Sequence, residues 1–172
     1  MKSIKTALLG LAMLGGLSGA AMAADVDTSI PADTYADMGW YLRGDVGFSW
    51  LDLEDGAMAL GGGLGYQHSD TLRADVRIDW AGFDNDDNFT TVLGNMYFDI
   101  PLDTIITPYV GAGAGYGWAS DDQSGLAFAL MAGAEVGLTD SLSLDAGYRY
   151  RQIIDGDDPS DHQFLVGLRY KF

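Results

Sequence analysis

From Trp40 onward, large apolar side chains alternate with polar or very small ones, and every basic residue falls on the polar or small side of the alternation. In the first such segment Trp40, Leu42, Val46, Phe48 and Trp50 share one face, while Tyr41, Arg43, Asp45 and Ser49 share the other. Further along, Leu72, Val76, Ile78 and Trp80 oppose Arg73, Asp75, Arg77 and Asp79. A period of two marks β-strands, whose successive side chains point to opposite sides of a sheet. Eight segments follow this rule between short Asp/Gly/Ser-rich breaks: about Trp40–Leu51, Ala57–Gln67, Thr71–Phe83, Phe89–Ile100, Ile106–Trp118, Leu126–Leu138, Leu142–Ile153 and His162–Phe172. The chain is therefore expected to be all-β. Its 24 Gly residues agree, since each interior Gly costs a helix about 1 kcal/mol. At roughly 150 residues per domain, 172 residues leave space for one domain.

A soluble sandwich would also alternate, but it would turn its polar face to water and scatter long charges over it. Here the polar face holds bare stretches, Gly61, Gly63, Gly65 and Gly111, Gly113, Gly115, Gly117. Such gaps suit a narrow lumen that must admit arginines from neighbouring strands. The same face carries Arg43, Arg73, Arg77, Arg149, Arg151, Arg169 and Lys171 with Asp45, Asp75, Asp79, Asp99, Glu135 and Asp145, a nearly balanced set. A cation on a lipid-facing surface costs about 2–4 kcal/mol at the bilayer midplane, whereas inside a barrel it pairs with a carboxylate. About ten residues per strand, tilted near 40°, span roughly 25 Å, the height of an outer-membrane apolar band.

The expectation is thus a monomeric eight-stranded antiparallel up-and-down transmembrane β-barrel over residues 39–172 with a charged lumen. With the amino terminus in the periplasm, Trp50, Trp80, Trp118, Phe128, Tyr150 and Phe164 form the outer aromatic girdle. Trp40, Tyr66, Phe98, Tyr170 and Phe172 form the inner one.

The beginning of the chain is of another kind. Lys2 and Lys5 precede the apolar run Ala7 to Leu17, and Ala21-Met22-Ala23 ends the segment, as in a secretory signal peptide cleaved after Ala23. Residues 24–38, with Asp25, Asp27, Asp33, Asp37 and Pro31, read as a flexible periplasmic leader. A formal charge of −16 argues against nucleic acid as a partner. Zero Cys removes thiolate metal sites, Cys nucleophiles and acylated Cys anchors.

The opening strand Gly39-Trp40-Tyr41-Leu42-Arg43-Gly44-Asp45-Val46-Gly47, the run Thr107-Pro108-Tyr109-Val110-Gly111-Ala112-Gly113-Ala114-Gly115-Tyr116-Gly117 and the ending Val166-Gly167-Leu168-Arg169-Tyr170-Lys171-Phe172 carry a family likeness. Together they resemble the small outer-membrane β-barrel surface antigens of alphaproteobacteria, relatives of the opacity proteins and of the OmpA membrane domain. The resemblance implies a structural or antigenic role without catalysis, embedded among outer-membrane lipids and lipopolysaccharide. It also implies delivery by periplasmic chaperones to the barrel-assembly machinery, which reads Phe164, Val166, Leu168, Tyr170 and Phe172. The breaks are shorter than the loops of adhesive opacity proteins, and no wall-binding domain follows the barrel, so neither receptor binding nor a wall tether is implied.

No cofactor motif stands out. Each Gly run places a Tyr, Tyr66 or Tyr116, where a phosphate loop would need its third Gly. The acidic breaks offer oxygen ligands, Asp84, Asp86, Asp87, Asp155, Asp157 and Asp158 foremost, but lack the closing Glu of an EF-hand. They read as solvated loops, with weak divalent-cation bridging to lipid phosphates as the functional alternative. The rival from another class is a lipid-A-modifying enzyme, a deacylase or acyltransferase, with His162 beside Asp161 in its site and no Ser obviously completing a triad. A pore is a third reading, opposed by the number of charges that eight strands would have to enclose.

Overall fold

The computed structural model describes residues 38–51, 55–82, 88–102, 104–119, 124–154 and 160–172. The signal segment, all of the leader but Met38, and the six loop aspartates Asp84, Asp86, Asp87, Asp155, Asp157 and Asp158 lie outside the described residues.

Eight strands make up the fold: β1 Gly39–Leu51, β2 Asp55–Gln67, β3 Leu72–Gly82, β4 Asn88–Asp99, β5 Ile106–Ala119, β6 Ser124–Gly137, β7 Leu142–Ile154 and β8 Ser160–Lys171. Each pairs antiparallel with its neighbour in sequence, and β1 pairs with β8, so the sheet closes and keeps no free edge. Strands β6 and β8 each begin two residues before the alternation suggests, at Ser124 and Ser160. Backbone pairing continues there through residues whose side chains give no apolar signal.

The register fixes the barrel's shape. Stepping between paired residues from Trp40 leads to Tyr66, Ala74, Met96, Ala112, Leu130, Tyr150, His162 and back to β1 at Trp50, ten residues beyond the start. That stagger over eight strands requires a tilt of about 40° and leaves an interior that side chains just fill.

Two turns at the end shared by both barrel termini use one local design. In Ser69-Asp70-Thr71-Leu72 and Thr139-Asp140-Ser141-Leu142, the first hydroxyl accepts from the Leu N–H, at 3.1 and 3.0 Å. The Leu carbonyl in turn accepts from two N–H groups, those of His68 and Ser69 or of Leu138 and Thr139. Hydroxyl–backbone bonds of this kind help to close tight turns. At the same end, Phe172 N–H donates to the Trp40 carbonyl at 3.1 Å, tying the end of the chain to β1.

Burial is inverted relative to a water-soluble protein. Phe48, Ile78 and Leu130 are 63%, 60% and 61% exposed, while Arg73 and Arg77 are fully enclosed. An apolar belt around a polar interior is the arrangement hydrocarbon requires. The interior is nevertheless not wholly polar, which corrects the expectation of a lumen filled by charges. Leu93, Met131, Ile153 and Leu165 are buried in it, and the first three pack with Ala127, Ala129, Tyr97 and Tyr109. They occupy inward positions of the alternation, where strands lined by Gly and Ala leave volume that no charged pair fills.

Candidate functional site

Two places gather chemistry: the lumen, and a patch on the outside of β7 and β8. In the lumen six arginines, Arg43, Arg73, Arg77, Arg149, Arg151 and Arg169, face seven carboxylates, Asp45, Asp75, Asp79, Asp99, Asp145, Asp161 and Glu135, all buried. They form three tiers.

Nearest the termini, Arg73 Nε lies 3.0 Å from Asp99 Oδ1, and its Nη1 lies 3.6 Å from Glu135 Oε2. Glu135 also pairs with Arg169. The Arg73 guanidinium sits 4.5 Å over the Tyr97 ring and 4.6 Å over that of Tyr109, so ring faces hold what the carboxylates do not. Gln67 joins this tier by donating to Asp99 at 3.2 Å.

At mid-height, Arg77 Nη2 donates to Asp45 Oδ1 at 2.6 Å and to Asp79 Oδ1 at 2.7 Å. The other oxygen of Asp79 meets Arg149 at 3.0 Å. Arg43 reaches Asp145 at 3.2 Å, Asp45 at 3.5 Å and Asp75 at 3.6 Å, bridging β1, β3 and β7. A hydroxyl and an amide share these carboxylates: Tyr109 donates to Asp145 at 3.0 Å and Asn95 to Asp75 at 2.7 Å. One glycine is required here. A Cβ on Gly61 would come within 2.6 Å of Arg77 Nη2 and 2.9 Å of Asp45 Oδ1, inside the ion pair itself.

The tier farthest from the termini is a fork. Arg151 Nε and Nη2 each donate to one oxygen of Asp161 at 2.8 Å, while its Nη1 donates to Thr91 Oγ1 at 2.7 Å. Ser49 adds a 2.6 Å bond to Asp161 Oδ2, and the guanidinium stacks 4.6 Å over Phe89.

All eleven residues expected in the lumen network, Arg43, Asp45, Arg73, Asp75, Arg77, Asp79, Glu135, Asp145, Arg149, Arg151 and Arg169, are buried there, with Asp99. Lys171 stands half-buried at the rim. Asp161 is the functional residue that sequence reasoning missed: grouped with the acidic break, it is an inward residue of β8. Its place was recoverable from parity, since Asp161, Gln163, Leu165, Gly167 and Arg169 share one face.

That placement separates Asp161 from His162. Adjacent strand residues point to opposite sides, so His162 faces outward. There its Nδ1 lies 2.5 Å from the Tyr148 hydroxyl, and its ring contacts those of Tyr148 and Tyr150 at centroid separations of 6.0 and 5.3 Å. Tyr150 donates to Gln152 at 3.5 Å, and Ser160 is paired with Gln152 across the strands. The rings continue through Phe164 to Trp50 and Phe48. Phe164, Val166, Leu168, Tyr170 and Phe172 all point outward as well.

The family model described as "Outer membrane protein beta-barrel domain" matches residues 9–172. An uncharacterized protein of Brucella abortus (strain 2308) is 28% identical, over 74% of this chain and 74% of its own. Among solved structures, Neisserial surface protein A is similar with a TM-score of 0.69 at 22% identity, covering 78% of this chain and 97% of that one. The outer membrane enzyme PagL is similar with a TM-score of 0.52 at 15% identity, covering 77% and 99%. At these identities the structural likenesses establish the fold.

Proposed function

The chain belongs to the outer membrane protein beta-barrel domain family, and from that membership we propose that it acts as a sealed, non-catalytic barrel with a structural or surface-antigen role in the envelope. One observation carries this reading: ion pairs cross the lumen from wall to wall, as Arg43 does to Asp145 and Arg149 to Asp79. A bore spanned by buried ion pairs at three heights leaves little continuous path for ions. In this reading a signal peptide is removed after Ala23 and the barrel is a monomer with its termini in the periplasm. Periplasmic chaperones and the barrel-assembly machinery receive it through Phe164, Val166, Leu168, Tyr170 and Phe172.

A second reading has a specific observation behind it: Ser160 and His162 share the outward face of β8, in a fold also used by an enzyme. A hydrolytic triad needs an acceptor that fixes the imidazole with its free nitrogen toward the Ser. The neighbouring carboxylate, Asp161, faces the lumen and is held by Arg151, and the group on Nδ1 is a phenol. The non-catalytic reading is therefore preferred. Two measurements test it. Purified protein in planar bilayers should give no conductance steps, and lipopolysaccharide from a deletion strain should keep its acyl-chain masses. Steady channels would replace the sealed barrel with a pore, and an altered acylation pattern would replace it with the enzyme.

A further inference from the structure

Among the described residues, the outward faces of the eight strands carry apolar, small, hydroxyl or amide side chains, and one ionisable group besides tyrosine: His162. It does not stand alone. Tyr148, Tyr150, Gln152 and Ser160 surround it on β7 and β8, and Trp50 is its partner across β1. The outward imidazole thus sits among four polar neighbours, at the strand ends remote from the termini and level with an aromatic rim.

We propose that this patch binds the phosphate headgroup of a membrane lipid in the adjoining leaflet. The imidazole is oriented for it. The Tyr148 hydroxyl occupies Nδ1 over 2.5 Å, which leaves Nε2 as the ring nitrogen free to meet a group outside the barrel; in the tautomer where Tyr148 donates, Nε2 carries the proton and is the donor. Stacking on Tyr148 and contact with Tyr150 keep the ring from rotating away. The Gln152 amide and Ser160 hydroxyl add two further donors beside it. A cluster dominated by donors calls for an acceptor, and a phosphate oxygen is the acceptor that a lipid surface presents at this depth.

The arginines are not available to the same ligand. The chain carries a formal charge of −16, and its described arginines are spent on carboxylates inside the lumen. Among the described residues no carboxylate shares the outward face of the patch, because alternation turns Asp161 inward, where Arg151 neutralises it. This inference goes beyond the sealed-barrel reading, which stands whether or not the patch binds lipid.

Native mass spectrometry of the folded barrel, released from detergent with lipid A or with dephosphorylated lipid A, tests it. One hydrogen bond to a charged group corresponds to about tenfold in affinity. Wild-type protein should therefore retain lipid A about tenfold better than the dephosphorylated form. His162→Phe should abolish that preference, Tyr148→Phe should weaken it, and Trp80→Phe on another wall should leave it intact. Equal retention of both lipids, or an undiminished preference in His162→Phe, would overturn the proposal. Displacement of bound lipid A by millimolar inorganic phosphate would also overturn it, since the ligand would then be a free anion. Should His162→Phe fail to form a barrel, the ¹⁵N resonance of the His162 imidazole in wild-type protein decides. It should move on titration with lipid A and not with the dephosphorylated lipid; a resonance that stays still refutes the site.

Discussion

Arg77 shows what a single residue does in this molecule. Its guanidinium is fully enclosed and holds two carboxylates at once, Asp45 at 2.6 Å and Asp79 at 2.7 Å. Replacing it by Leu would strand the negative charge of Asp45 and Asp79 in the enclosed space that Gly61 leaves open for the ion pair. Arg77→Leu is expected to destabilise the barrel by about 3–5 kcal/mol, measured by urea unfolding in lipid vesicles. A change below 1 kcal/mol would mean that Arg149 and Arg43 take over both carboxylates. The sequence makes the inward direction of Arg77 legible, because parity alone decides the face. It hides the partners: Arg43 and Asp145 stand 102 residues apart, and only the stagger of the closed sheet brings them within 3.2 Å. Leu93 and Met131 bear no polarity that marks them as inward, and only their parity with Tyr97 and with Ala129 places them in the lumen.

Each strand reads as a two-sided ribbon whose sides are set by opposite solvents. In β3 the inward side carries Arg73, Asp75, Arg77 and Asp79, and the outward side carries Leu72, Ala74, Val76, Ile78 and Trp80. The test of this assignment is a charge on the wrong side. Ile78→Arg should impair membrane insertion at a cost of about 2–4 kcal/mol if residue 78 lies near the midplane, read as a lower yield of folded barrel in vesicles. Normal folding, combined with labelling of residue 78 from water, would mean that the faces are reversed. Strand existence was legible throughout because alternation persists for ten residues or more. Strand ends were not: Ser124, Ser160 and Asp161 resemble loop residues in composition, and backbone hydrogen bonding rather than side-chain polarity makes them strand.

For the whole molecule, closure of β1 on β8 removes every edge at which detergent or denaturant could begin to peel the sheet. Unboiled protein is accordingly expected to migrate differently from boiled protein on an SDS gel, and identical mobility together with a helical circular-dichroism spectrum would refute the fold. The same gel examines the acidic loops. If Asp84, Asp86, Asp87, Asp155, Asp157 and Asp158 bridge divalent cations to lipid phosphates, chelation should lower the temperature of the shift in lipopolysaccharide-containing samples. An unchanged temperature would leave those residues as solvated charge.

The three tiers of ion pairs also bear on time. The links that cross the lumen join strands far apart in the chain, so Arg43 has no Asp145 and Arg149 no Asp79 until the last strand pair has zipped. A sheet opened at one seam would leave these groups without their partners across the lumen, holding only the contacts made within a strand or hairpin. Closure and opening then share a high barrier, and the protein's persistence in its membrane becomes a matter of rate more than of equilibrium. A barrel of this kind would be lost by dilution as cells divide, not by falling apart.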